Sequence, residues 1–204
     1  MTFFRKMCRG VFLTALVCAM VWLGTAAADR IMLREKIIRL HVVAVSDSED
    51  DQKNKLLVRD TVLEYLNEKM DGAVSAQEAG EYIAQSLDEI REKAEDCLRR
   101  AGSSEKVTVR FCREAFARRD YESFSLPAGV YSALRLTIGA GEGRNWWCVI
   151  FPQFCTGASG FRSAATGAGF SDSAADSLEG SSGKVRFYIL EKLGELENIL
   201  FFGQ

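Results

Sequence analysis

The chain has 204 residues, 48% of them apolar, and a formal net charge of −2. That length and composition fit one domain with a core of its own and exclude disorder throughout. Setting aside Arg5, Lys6 and Arg9 from the 26 basic side chains leaves 23 against 28 acidic ones, so the body of the protein offers no global attraction to nucleic-acid phosphates.

No acid precedes Asp29. Residues 1–28 join a basic stretch, an apolar run from Val11 to Leu23 and small residues ending in Ala26, Ala27 and Ala28, the three-part pattern of a secretory signal. With Gly24 to Ala28 added, the run also approaches the length of a bilayer-crossing helix. Two readings stay open: a signal peptide cleaved after Ala28, or an N-terminal membrane anchor, with residues 11–28 associating with the membrane transiently or permanently. Both place residues 29–204 outside the cytoplasm as one domain.

Ile37 to Val45 is a β-branched, nearly continuous apolar run, which predicts a strand covered on both faces. It ends in Ser46-Asp47-Ser48-Glu49-Asp50-Asp51, where Ser or Asp caps a helix and the acids complement its positive end. The helix should run from about Glu49 to Met70. At helical spacing, Leu56, Val58, Val62, Leu63, Tyr65, Leu66 and Met70 share one half of its circumference, together with Gln52, Lys55 and Arg59. Lys55 and Arg59 either lay their stems on apolar surface with heads in water, or Arg59 is partly buried and paired with Asp47 or Asp60. The expectation is that the acidic turn, with Asp47 and Ser48, forms one polar cluster with Arg59.

Ser75-Ala76-Gln77-Glu78 is a capping-box pattern ahead of one long amphipathic helix ending near Gly102. Val107, Val109 and Phe111 alternate with Thr108, Arg110 and Cys112, a second strand with one wet face. Pro127-Ala128-Gly129 marks a turn, and Val130 to Ile138 is a third strand. A glycine run, Gly139-Ala140-Gly141-Glu142-Gly143, then leads into a fourth strand from Asn145 to Phe151. A dinucleotide fingerprint needs its glycines to open a helix, so this run does not indicate a nucleotide cofactor. Adjacent strand residues point to opposite faces, so one of Trp146 and Trp147 can be core while the other faces out as an interface anchor. Residues 156–183 are rich in Gly, Ser and Ala and are expected to be a flexible insert. A closing helix from Lys184 to Leu200 should return Val185, Tyr188, Ile189, Leu193, Leu196 and Leu200 to the core.

The fold expected is α+β: a mixed sheet of about four strands packed by two to three long helices, behind the N-terminal signal or anchor helix. Cys148 and Cys155 are candidates for a disulfide, worth about 2.5 kcal/mol for so small a loop, while the alternative is free thiols. One histidine and no CxxC pair supply no zinc site, and neither a metal nor a small-molecule cofactor is expected. The only histidine, His41, lies in a buried-looking strand, where a satisfied core imidazole or a polar contact is its ordinary role. An exported cell-wall hydrolase using Asp47 and Glu142 as a carboxylate pair is the alternative functional reading.

Ile38-Arg39-Leu40-His41-Val42-Val43-Ala44-Val45-Ser46-Asp47-Ser48, followed by Asp51-Gln52, Lys55, Val58-Arg59-Asp60 and Val62-Leu63, resembles the opening signature of the stage II sporulation protein R family. The Gly-Glu-Gly, Asn-Trp-Trp-Cys and Phe-Pro elements form the second half of the resemblance, which covers most of Ile37 to Pro152. The family pattern usually has Asn where this chain has Val45. The resemblance implies a non-enzymatic protein made in the forespore and secreted into the space between forespore and mother-cell membranes. There it would activate a membrane-embedded aspartic protease of the mother cell, which processes a sigma factor precursor. The interaction candidates are Trp146, Trp147 and Asn145 on the fourth strand and Glu142 and Gly143 in its glycine turn. His41, Asp47, Ser48 and Arg59 complete the set.

Overall fold

The computed structural model describes residues 2–70, 75–152, 160–179 and 184–202. Its centre is β1 (Ile38–Val43), buried along its whole length. β1 pairs in parallel with β5 (Gly129–Ile138) and antiparallel with β6 (Asn145–Phe151), and β2 (Val107–Phe116) adds antiparallel to β5. The mixed four-stranded order is β2-β5-β1-β6. A short hairpin of β3 (Arg119–Asp120) and β4 (Ser125–Leu126) lies apart from this sheet.

Both sheet faces are covered, which is why β1 reads as a continuous rather than an alternating apolar run. One face sends Ile38, Leu40, Val42, Leu134, Leu136, Ile138 and Ile150 into a core with α2 (Glu49–Lys69), α3 (Ala76–Gln85) and α4 (Leu87–Arg100). On the other, Ala133 and Val149 meet Leu33, Phe116, Tyr131, Phe161, Phe170 and Leu178. Because strand side chains alternate, β1 directs Arg39 and His41 toward this second face. The fold is therefore α+β with a mixed four-stranded sheet.

Three local expectations are corrected. The helix expected from Ser75 to Gly102 is two helices broken at Ser86, a buried residue that ends α3 and opens α4. Within the segment expected to be a flexible insert, α5 (Phe161–Gly167) and α6 (Asp172–Glu179) are helical. A few large anchors suffice there, because Phe161, Phe170 and Leu178 enter the second core and Phe161 stacks on Phe124 with centroids 4.9 Å apart. The helix that begins in the apolar N-terminal stretch, α1 (Thr2–Lys36), runs past Ala28 without a break, and Asp29 and Leu33 are buried in the domain. Its apolar part is exposed and is long enough to cross a membrane.

The third correction concerns α7 (Lys184–Phe202). Its expected core residues Tyr188, Leu196 and Leu200 are exposed, and the helix docks through its polar side instead. Glu197 pairs with Arg30 and Arg34, Glu191 with Arg118, and Asn198 donates to Phe116 O at 3.0 Å. Gly194 is buried at the contact, where a Cβ would lie 1.7 Å from Ala128 O, so only glycine lets the helix approach the start of β5 this closely.

Candidate functional site

The C-terminal end of β1 and the turn between β5 and β6 are fastened together. Gly143 N donates to Ala44 O and Glu142 N to Val45 O. Asp47 Oδ1 accepts from Arg144 N at 2.7 Å. Gly143 is there for close approach: a Cβ would lie 2.2 Å from Ser46 O. Ser48 is the N-cap of α2, its hydroxyl accepting from Asp51 N, while Gln52 Nε2 donates to Ser46 O at 2.9 Å.

The buried cation of this cluster is Lys55, not Arg59, while the exposed Arg144 guanidinium pairs with Asp47 at 3.4 Å. Lys55 is buried, and its Nζ donates to Gln52 Oε1 at 2.6 Å and to Arg144 O at 3.0 Å. Burial lowers its pKa, as does the nearby Arg144 charge, while Asp47 opposes the shift. Arg59 stands outside the cluster. It pairs with Asp60 at 2.7 Å and its guanidinium lies 4.4 Å from the centre of the Trp146 ring. A lysine stem is long enough to reach the turn from one helical turn nearer the N-terminus, which leaves Arg59 to cover the indole.

Trp146 and Trp147 leave β6 on opposite faces. Trp146, 37% exposed, lies on the α2 side under Arg59. Trp147 is half-buried on the second face, stacked on His41 with ring centroids 5.5 Å apart, and Arg119 lies 3.7 Å from its ring centre. Both indoles are therefore backed by a guanidinium, an arrangement that adds attraction beyond area burial.

Beneath Trp147 lies a polar group that crosses all four strands of the sheet. His41 Nδ1 is 2.8 Å from Glu114 Oε1, and His41 Nε2 is 2.8 Å from Asn145 Oδ1. Arg135 Nη1 donates to the same Glu114 oxygen at 2.7 Å. A doubly protonated imidazole donates to both oxygens, whereas a neutral one needs the Asn145 amide turned to present its NH2. Burial pushes the Glu114 carboxyl up, but the His41 hydrogen bond, the His41 charge and Arg135 outweigh it and hold the group below the ordinary Glu value. Glu114 Oε2 is buried without a hydrogen-bond partner. Deeper on this face Arg39 is fully buried, its guanidinium 4.0 Å from the Phe116 ring centre and donating to Tyr121 Oη at 3.0 Å. Burial likewise pushes the Tyr131 phenol up to about 12, with the Arg39 charge opposing.

Of the sequence candidates, His41, Asn145 and Trp147 thus meet in one group, Asp47, Ser48, Gly143 and the Glu142 backbone in a second, and Arg59 with Trp146 in a third. Asp47 uses its carboxylate to hold the Arg144 amide, and Glu142 is exposed, a positional arrangement that does not favour a hydrolytic pair. Among the described residues no group of three or more His, Cys, Asp or Glu is placed to hold a metal ion. Cys148 is disulfide-bonded, and Cys155, its expected partner, lies outside the described residues; Cys97 and Cys112 are free. Glu114, Arg119, Arg135 and Arg144 belong to the site without having been singled out by sequence, and Lys55, whose head was expected in water, is buried in it. For Glu114 the alternation of β2 carried a signal, since it continues the wet face of Arg110 and Cys112.

The protein-family model described as stage II sporulation protein R matches residues 34–159, which contain every strand and all three groups. Stage II sporulation protein R of Bacillus subtilis (strain 168) is 34% identical over 125 residues, 61% of this chain and 56% of that protein. The chain thus spans just over half the length of this curated relative. No solved structure matches. With the family pattern running from the end of α1 through the last strand, the chain belongs to the stage II sporulation protein R family.

Proposed function

We propose that this protein is an exported sporulation signal that binds and activates a membrane-embedded aspartic protease of the mother cell, which then processes a sigma factor precursor. In this reading residues 1–28 carry the domain into the space between forespore and mother-cell membranes and hold it at a membrane during or after export. The chain itself cuts no bond. Its work is differential binding: moving a receptor from 1:99 to 99:1 in favour of the active form takes a preference of about 5.5 kcal/mol.

The observation that carries the reading is the outer end of β6. There an edge strand presents Trp146 and Trp147 on its two faces, each stacked with an arginine, and Trp and Arg are the residue types in which interface energy concentrates. The fastened turns behind them preorganise the contact, which lowers the ordering cost of binding.

The test is capture of this protein by the outer region of the receptor protease, with precursor processing read in sporulating cells. Trp146→Ala should lose capture and leave the precursor uncleaved while the protein still folds and is exported. Normal capture and processing by both Trp146→Ala and Trp147→Ala would remove the tryptophans from the interface and leave them a packing role.

A further inference from the structure

α7 turns an apolar flank to solvent. Ile189, Leu193, Leu196 and Leu200 recur at the three- and four-residue spacing that lines up one helical stripe. Ile189 and Leu193 are half-buried, Leu196 is 57% exposed and Leu200 83% exposed. This stripe is not the docked side, which is held by Glu191, Gly194, Glu197 and Asn198. At about 100° per residue, every member lies within about 100° of Glu197 on one side of the helix.

Glu197 is also where α7 meets α1. It pairs with Arg30 at 2.5 Å and with Arg34 at 2.7 Å, the first cationic positions after the apolar stretch that ends at Ala28. Arg30 stands only about 3 Å along the helix axis from Ala28, and Leu196 and Leu200 are within one turn of Glu197. The exposed stripe therefore lies beside the level at which α1 changes from apolar to charged.

We infer that this flank of α7 lies in the headgroup and acyl-chain boundary of the membrane that α1 enters, as a second, interfacial contact of the domain with lipid. The inference rests on the proposed association of residues 11–28 with a membrane. A bilayer crossed by that stretch brings its interface to the level of Arg30, and an apolar helical flank sinks about 5–10 Å into such an interface. α7 carries Lys184, Arg186 and Lys192 against Glu191, Glu195 and Glu197, so apolar burial rather than attraction to anionic lipid drives the contact. A second copy is the poorer occupant, because four aliphatic side chains cover far less than the about 1,200 Å² that a specific dimer takes.

The test uses the full chain in phosphatidylcholine vesicles, with Cys8, Cys18, Cys97 and Cys112 replaced by serine. A fluorescent probe is attached through Leu200→Cys or, as a control about 100° or more around α7 from every member of the stripe, Glu195→Cys. Leu196→Cys is a second reporter should Leu200→Cys perturb the helix. Doxyl-labelled lipid at interfacial depth should quench the Leu200 and Leu196 probes by about half and the Glu195 probe by about a tenth or less, with little dependence on added anionic lipid. Trp22, within the apolar part of α1 and left as the sole indole by Trp146→Phe and Trp147→Phe, reports insertion of that helix in the same sample. Quenched Trp22 with unquenched Leu200 and Leu196 probes overturns the inference and leaves the membrane reading of α1 intact. Unquenched Trp22 together with unquenched probes overturns both. Probes shielded from water, unquenched by lipid and sensitive to the number of copies per vesicle would assign the flank to a second copy instead.

Discussion

A single methyl group at Gly194 should dislodge α7. A Cβ there would lie 1.7 Å from Ala128 O and 2.5 Å from its carbonyl carbon, backbone atoms that cannot rotate away as a side-chain tip can. Alanine gains up to about 1 kcal/mol in helix propensity. Overpacking typically costs about 1–3 kcal/mol, and backbone overlap this deep belongs at the upper end. Lifting the helix off instead gives up the hydrogen bond from Asn198 to Phe116 O and the two half-buried pairs of Glu197, together about 2–3 kcal/mol. Either route leaves Gly194→Ala about 2 kcal/mol less stable, or about 4–8 °C lower in Tm for a chain of this size. Thermal unfolding of the full chain in mild detergent measures the shift, and amide exchange along α7 locates it. A variant that melts at or above the parent, or whose α7 amides exchange no faster, would refute the docking geometry.

Glu114 supplies a pH test. Its folded carboxyl is held below the ordinary value of 4.5, so its contribution is present above that pH and lost as pH falls through the lowered folded value. The difference in Tm between the parent and Glu114→Gln should therefore shrink on acidification from pH 7 to pH 3, and a constant difference would argue against charge as the cause. For Arg59 and Trp146, whose stack is 4.4 Å deep, a double-mutant cycle on thermal stability should return a coupling of about 0.5–1 kcal/mol. Additive single variants would mean that the stack contributes nothing. Gly143→Ala drives a Cβ to within 2.2 Å of Ser46 O; it should cost about 2 kcal/mol or more and expose the Arg144 amide to exchange. Unchanged protection of that amide would show that the two turns are not fastened as described.

The sheet was legible because its strands carry their signals locally. β1 shows the unbroken apolar run of a doubly covered strand, and β2 and β5 alternate. At the break, Ser86-Leu87-Asp88-Glu89 repeats the capping-box spacing seen at Ser75, although the Ser86 hydroxyl makes no cap hydrogen bond to α4, and a continuous apolar stripe obscured the boundary. The role of Lys55 was not legible, because its acceptors include Arg144 O, far along the chain in another turn. The same holds for Glu114, which becomes a partner of His41 only once β5 sets β2 beside β1. α7 misled for a different reason: periodicity locates an apolar stripe but does not say whether protein covers it, and here a glycine and three polar side chains docked the opposite side.

The parallel pairing at the centre of the sheet also constrains how the protein comes to be folded. Ile38 lies beside Ser132, so the most buried strand is synthesised early and finds its first long partner only after α2, α3, α4 and β2 have followed. A chain delivered N-terminus first, from a ribosome or through a membrane, therefore holds β1 unpaired while β2 and β5 become available to each other. Contacts this distant in sequence close slowly, and an unpaired apolar strand is the segment most prone to associate wrongly meanwhile. β6, the last of the four strands to be made, completes the sheet against β1. The order implied is that the polar turns and both indoles take up their final positions only when the whole sheet has closed, so a partly delivered chain carries no finished contact surface.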